Sequence, residues 1–280
     1  MNKIKNKEPL VSIVIPTFNS GKTLGICLNS IKNQTYKNIE VIIVDKFSED
    51  ETVEIARMYG AKVIQCNAEM SEARNIGLYN ISKEAEFVMF IDSDMELTPN
   101  VVYECVKLME GNENLGMIII PEKTIGNNLL AKIREFERSF YYNTEIEAAR
   151  FFRVNIAKKV EGYDKDIIFY EDHTLPQKIE RLGYKKDRIN AFILHHEENL
   201  TLFKHLKKKI YYGKTIAVYK RRYQNYASEQ INIFYRIMIF LKNRRFYSKP
   251  LLAIGVIILK SLEFFAIILG FILEKLKISN

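Results

Sequence analysis

The stretch that decides the fold is VSIVIPTFNSGKTLGICLNSIKNQTYKNIEVIIVD, residues 11–45. It opens on a β-branched apolar run, 11–15, that stops at Pro16, the pattern of a buried parallel strand followed by a loop. Leu24, Leu28 and Ile31 then recur at helical spacing over 21–34, and 40–44 is a second apolar run. The alternation continues with a helix at 51–59, a strand at 61–65, a helix at 71–79, a strand at 87–91, a helix at 101–109 and a strand at 117–120. Repeated βα units of this size predict an α/β fold with a doubly wound, mostly parallel, Rossmann-like sheet. Beyond them, 127–147 reads as helical and charged, and 150–154 as strand-like.

Ligands of such sheets bind beyond the carboxyl ends of the strands, so the loops after Ile15, Val44 and Ile91 should converge on one crevice. The polar residues of this half of the chain lie in those loops. After the fourth strand comes IDSD, 91–94, where two carboxylates one residue apart can share a hard cation. Mg²⁺ or Mn²⁺ there would leave positions open for diphosphate oxygens. Asp45 follows VIIV, with Thr17, Phe18 and Asn19 across the crevice. A carboxylate, a ring and an amide suit a nucleobase, and turn formation and helix capping around Asp50 are the plain alternative. Arg74, one turn after Ser71, stands near a helix N-terminus, a setting for phosphate. Glu171 and Asp172 open a helix that continues through Leu175, Ile179 and Leu182, and either could remove a proton from an acceptor hydroxyl or simply cap the helix.

Composition narrows the classes. In 280 residues, 48% hydrophobic and 27% charged, one large domain plus an appendage is expected. The net charge of +8 is uneven: residues 1–200 carry 26 Lys/Arg against 31 Asp/Glu, and residues 201–280 carry 16 against 3. An acidic first part argues against nucleic acid as the partner, while a basic, apolar tail suits an anionic membrane surface. Cys27, Cys66 and Cys105 are too scattered for a disulfide framework or zinc site and read as reduced core residues. The polar start, 1–8, shows no secretory h-region, so a cytosolic catalytic part is expected.

Taken together and in order, VSIVIPTFN, the Asp45 loop, ARNIGL at 73–78, FIDSD and GYDKDIIFYED resemble the family 2 glycosyltransferases. The resemblance covers about 10–200 and implies a GT-A catalytic domain over 1–200 that moves a sugar, with inversion, from a nucleoside-diphosphate sugar. It implies that Asp45 and Arg74 contact the nucleotide together with Pro16, Thr17, Phe18, Asn19, Asp92 and Ser93. By the same likeness Asp92 and Asp94 are the metal-binding D-x-D, Asp172 is the base beside Glu171, and His195 is a further metal or diphosphate ligand. His196, its strand neighbour, faces the other way. The second loop departs from the family in reading DKFS, so Lys46 and Phe47 bear on base selectivity. The chain has no Trp, hence no Gln-x-x-Arg-Trp of processive synthases, and a single addition is expected.

Residues 201–250 form a basic amphipathic segment, and 251–280 an apolar helix of which 251–273 is just long enough to cross a bilayer. Lys260 and Glu263 interrupt it and make spanning marginal. They could pair on one face or dock on another helix such as 231–241. An in-plane or re-entrant helical hairpin, a span and a soluble helix completing a dimer interface are the readings carried forward. Membrane proximity points to an acceptor on a polyprenyl phosphate or lipid-linked glycan at the cytoplasmic face. The rival classes are a nucleotidyltransferase, which would need more than Gly21 as a phosphate loop, and a silent membrane scaffold.

Overall fold

A computed structural model describes residues 8–198 and 200–278. Its elements run β1 (Leu10–Thr17), α1 (Gly21–Lys32), β2 (Ile39–Asp45), α2 (Thr52–Met58), β3 (Lys62–Gln65), α3 (Met70–Tyr79), β4 (Ala85–Phe90), β5 (Met95–Leu97), α4 (Val101–Glu110), β6 (Leu115–Ile119) and β7 (Glu122–Ile125). There follow α5 (Leu129–Arg138), β8 (Ala149–Arg153), α6 (Val154–Lys159), a 3₁₀ turn (Glu171–His173), α7 (Thr174–Arg181), β9 (Lys185–Arg188) and β10 (Ile193–His196). The tail is helical: α8 (Leu202–Gly213), α9 (Ile216–Arg222), α10 (Gln224–Gln230), α11 (Ile233–Leu241), α12 (Arg244–Tyr247) and α13 (Pro250–Ile278).

The chain divides into two compact units. The first comprises 1–121, 148–164 and 172–194, and the second 122–147, 165–171 and 195–280. The expected boundary at 200 therefore differs from this division, which groups 122–147, 165–171 and 195–200 with the tail. Residues 1–7, the start read as leaderless, lie outside the described residues.

The first unit holds a seven-stranded sheet in the order β3-β2-β1-β4-β8-β6-β9. The four strands β3, β2, β1 and β4 are parallel, as the alternation predicts. The strand expected at 117–120 is β6, and between it and β4 lies β8, antiparallel to both. Periodicity gives burial but not pairing direction, and the edge of β4 is filled by a segment that returns only after the 122–147 excursion. Thr17 lies level with Asp45, and Val14 with Phe90. Pro16 therefore sits past the end of β4, where its missing N–H leaves no ladder bond unmade.

Two apolar clusters cover the faces of this sheet. Val11, Ile13, Ile15, Met89 and Phe151 pack with α1 and α4, and Val14, Ile42, Val44, Phe90 and Phe152 with α3, α6 and α7. At Gly77 on α3 a Cβ would lie 2.2 Å from Val14 Cγ1. Gly77→Ala gains about 1 kcal/mol of helix propensity but overpacks at about 1–3 kcal/mol, so a net loss in urea-melt stability of about 1 kcal/mol is expected. Unchanged or raised stability would contradict that close approach. Cys27 and Cys105 are buried and reduced, and Cys66 is partly buried.

In the second unit α5, α11, α12 and α13 enclose Phe136, Phe140, Tyr141, Phe240 and Phe246, with rings 4.9–6.1 Å apart. The 165–171 segment belongs here. The backbone N–H groups of Ile168 and Phe169 both donate to Thr215 Oγ1 at 2.9 Å, and Tyr219 of α9 is met edge-on by Phe169 and stacked by Tyr170.

Candidate active site

Asp45 ends β2 fully buried, and its carboxylate accepts from Thr17 Oγ1 (2.8 Å), Ser48 N (2.9 Å), Ser48 Oγ (2.5 Å) and Gln65 Nε2 (3.3 Å). Burial pushes this carboxyl up, but Ser48, Thr17 and Gln65 outweigh it and hold it below the usual carboxylate range. Four donors use the acceptor capacity of a carboxylate. Asp45 thus builds the crevice wall, and meeting a base would mean exchanging one of these bonds. Helix capping is done nearby by Asp50, which accepts from Gly21 N at 2.9 Å and Thr52 N at 3.1 Å, so the two aspartates divide the roles that the sequence left open.

The first two loops are stitched together. Asn19 N donates to Ser48 Oγ at 2.8 Å, and Glu49 N to Asn19 Oδ1 at 2.9 Å. Asn19 and Phe47 both adopt left-handed φ, 48° and 53°. Phe47 and Phe18 stand exposed on these loops, while Lys46 is drawn aside to Glu69 at 2.6 Å. Two exposed rings on adjacent loops can stack on a planar base. The fourth loop joins them, because Ser93 Oγ donates to Ser20 Oγ at 2.8 Å.

Arg74 is almost fully buried on α3, and its Nη2 reaches Asp92 Oδ1 at 3.0 Å. Its guanidinium also lies 5.4 Å from the centre of the Tyr163 ring. A residue expected on the nucleotide and one expected on the metal are therefore already in contact. Next to it Asn75 clamps the GYD turn: its Nδ2 donates to Tyr163 O at 2.8 Å and its Oδ1 accepts from Tyr163 N at 2.7 Å. Gly162 in that turn has φ +64° and approaches Asn75 so closely that a Cβ would meet Oδ1 at 2.2 Å, so both conformation and space require glycine.

Tyr163 registers the convergence. Burial pushes its phenol well up, Arg74 and Arg150 pull it back, and Asp172 and Asp92 push it further. Groups from α3, β8, the fourth loop and the 3₁₀ turn thus act on one hydroxyl. The Asp172 side chain is 38% exposed, with Oδ1 4.0 Å from Nε2 of buried His173. Arg150, Asn75 and Tyr163 were missed by motif reading. The signal for Arg150 was a charge opening the apolar ARFF run, and for Asn75 its place inside ARNIGL.

The D-x-D loop is a negative site. The Cys27 thiol beneath it, with Sγ 3.9 Å from Asp92 O, is pushed up by burial first and then by the charges of Asp94 and Asp92. Among the described residues no three His, Cys, Asp or Glu form a closed metal cage. Two adjacent carboxylates with only oxygen donors fit a hard cation that leaves its other positions to phosphate and water, so Asp92 and Asp94 suit Mg²⁺ or Mn²⁺. Glu171 and His195 fall in the second unit. There His195 Nδ1 lies 2.9 Å from Arg138 Nη1 and 3.5 Å from Glu122, and His196 Nδ1 lies 2.9 Å from Glu198. As Arg138 can only donate, it engages Nδ1 as an acceptor, which leaves the proton of the neutral ring on Nε2, so His195 as placed here offers an N–H donor suited to a phosphate oxygen rather than a lone pair for a cation.

The sequence model of glycosyl transferase family 2 matches residues 12–207. Minor teichoic acid biosynthesis protein GgaA of Bacillus subtilis is 27% identical over 184 residues, 58% of this chain and 41% of that one. An uncharacterized glycosyltransferase of Rickettsia prowazekii is 32% identical over 115 residues, 40% of this chain and 36% of that one. The matched regions thus span well under half of these relatives' lengths. Among solved structures, S. aureus TarS 1–349 in complex with UDP-GlcNAc superposes with a TM-score of 0.58 at 19% identity, covering 88% of this chain and 79% of that one. Mannosyltransferase PcManGT from Pyrobaculum calidifontis, in complex with GDP-Man and Mn²⁺, gives 0.65 at 14%, covering 96% and 88%. At these identities the likeness shows a GT-A-like α/β fold and nothing finer.

Proposed function

The chain belongs to glycosyltransferase family 2, and on that premise we propose that its first unit transfers a sugar from a nucleoside-diphosphate sugar to an acceptor carried by a membrane lipid, with inversion. The observation that carries this reading is the pairing of Arg74 with Asp92 beside the Tyr163 ring, on loops tied to those that hold Asp45. In this reading Phe18 and Phe47 flank the base, the Asp45 network shapes its wall, and Arg74 faces the diphosphate while orienting Asp92. Asp92 and Asp94 hold the cation, which when bound supplies charge neutralisation for the departing nucleoside diphosphate. Asp172, partly exposed, takes the proton of an acceptor hydroxyl as it attacks. Toward an acceptor phosphate, already ionised, it orients instead.

A lipid-borne acceptor, a polyprenyl phosphate or lipid-linked glycan at the cytoplasmic face, is supported by the basic tail and by the naming of GgaA for teichoic acid biosynthesis. The UDP- and GDP-linked donors of the two fold relatives are the first to try. The test is a panel of UDP-, GDP- and dTDP-sugars with Mn²⁺ and membrane lipid extract, scoring nucleotide release and labelled lipid. Asp172→Asn should lower transfer to a hydroxyl acceptor about 100-fold or more, the scale of general-base catalysis, with donor KM little changed. Full transfer by that variant would remove Asp172 from the role of base. Pyrophosphate release from a nucleoside triphosphate would instead favour a nucleotidyltransferase.

A further inference from the structure

We propose that the second unit docks on an anionic lipid bilayer through one face of α13, with the helix lying in the interface plane rather than crossing it. This goes beyond the transfer reaction and does not depend on it. By length and composition α13 could cross a membrane. Its two faces are inverted relative to a helix in water, whose charges point outward. Lys260 and Glu263 are turned inward with Ala253, Val256, Leu259 and Ala266, and Glu263 is only 3% exposed. Outward it shows Leu251, Ile254, Ile258, Phe265, Leu269 and Ile272, with Leu251 83% and Phe265 66% exposed. On that face Ser261 turns its hydroxyl back to Ile257 O at 3.0 Å, so it asks nothing of the medium. A continuous apolar stripe several turns long marks contact with something other than water.

The inward contacts decide against a span. Lys260 Nζ bonds Glu263 Oε2 at 2.6 Å and also Glu137 of α5, and His205 Nε2 of α8 meets Glu263 Oε1 at 2.5 Å. α13 also touches α8 backbone to backbone: a Cβ on Gly213 would lie 2.1 Å from Ile267 O, and one on Gly270 closer still to Ile210 O. A crossing α13 would either abandon these partners or drag in α8, whose Lys204, Lys207 and Lys208 are exposed. In-plane docking keeps every ion pair and presents only the stripe to acyl chains.

The occupant follows from charge. A second copy would set one segment of 16 Lys/Arg against 3 Asp/Glu beside another, which repels. Anionic headgroups complement the exposed Arg244 and Arg245 of α12 and Lys275 near the end of α13. The side chain of Lys277, expected at the same headgroups, lies outside the described residues.

The experiment adds the full chain, without donor or acceptor, to preformed sealed vesicles of phosphatidylcholine with or without phosphatidylglycerol. Cosedimentation should be at least about tenfold stronger on the anionic vesicles and should weaken with salt. Ile258→Glu/Phe265→Glu, with both changes on the exposed face, should keep the wild-type melting profile and lose at least about tenfold in binding. In a Cys66→Ser background, Ser248→Cys and Lys275→Cys bracket the stripe, and a membrane-impermeant maleimide should label both on the vesicle outside without detergent. Protection of either position until detergent is added would show a span and overturn the proposal. Equal binding to both vesicles would overturn it, and so would absent binding together with a dimer that the double variant dissolves. Nucleotide-sugar turnover is measured separately without vesicles, so failure here leaves the transfer reading standing, and the converse holds.

Discussion

Asp94→Asn is expected to reduce sugar transfer at least about 100-fold, because on the proposed reading the charge stabilisation that a cation would supply there is worth several kcal/mol and each 1.36 kcal/mol is tenfold in rate. The contrast is Asp92→Asn. Asp92 is the partner of Arg74 at 3.0 Å, and Arg74 is almost fully buried. Removing the Asp92 charge should cost both activity and about 3 kcal/mol of stability, the low end for breaking a buried pair. Thermal melts with and without Mn²⁺, alongside nucleotide release, read the difference. A wild-type melt of Asp92→Asn would mean that the Arg74 contact carries no stability, and full transfer by Asp94→Asn would remove Asp94 from the proposed cation site.

The second large effect is expected at Glu263→Leu. Around this buried carboxylate stand Lys260 at 2.6 Å, His205 at 2.5 Å, Lys209 at 3.7 Å and Arg134 at 3.8 Å. Arg134 in turn forks onto Glu197, with Nε at 2.7 Å and Nη2 at 3.1 Å. Deleting Glu263 leaves several cations facing one another out of water, at a cost of about 3–5 kcal/mol. Lys260→Met/Glu263→Leu should recover part of that loss, since an apolar replacement of a whole pair is often neutral. The observable is a lowered urea transition of the second unit, resolved by limited proteolysis within 122–147 and 195–280. A melt like that of the wild type would show that the network contributes nothing.

The same network sets an acid limb. Burial pushes the Glu263 carboxyl up, but Lys209, Lys260 and His205 override it and hold it well below the usual range. Glu197 is likewise pushed up by burial but brought down to about 2, chiefly by Arg134. Carboxyls depressed on folding contribute stability that is present above their unfolded value of 4.5 and lost as pH falls toward 2. His205 adds to the loss from a higher pH. Burial lowers its folded pKa below 6.5, so the unfolded chain takes up a proton first as pH drops.

Much of the fold and of the site could be read from particular residues. Val11, Ile13 and Ile15 are fully buried in β1, and Leu24 and Leu28 face the sheet from α1, as their periods of 2 and 3.6 require. Asp45 and Asp92 lie at strand ends because apolar runs stop there. Periodicity could not show that β8 enters antiparallel between β4 and β6, since a buried strand has the same composition in either direction. Nor could it show that 122–147 and 165–171 pack with the tail, because long-range grouping leaves no local signature.

The α/β alternation, the polar loops at the strand ends and the charge asymmetry between the two parts of the chain are written in local order, because burial periodicity and net charge are properties of neighbouring residues. That Arg74 holds Asp92, that Asn75 clamps the turn of Gly162, and that Lys260 and Glu263 face inward are outcomes of the assembled fold. Those outcomes depend on which distant helices and loops come within bonding distance. The rotation of α13 about its own axis turns a marginal span into a helix with its charges paired and its apolar face outward.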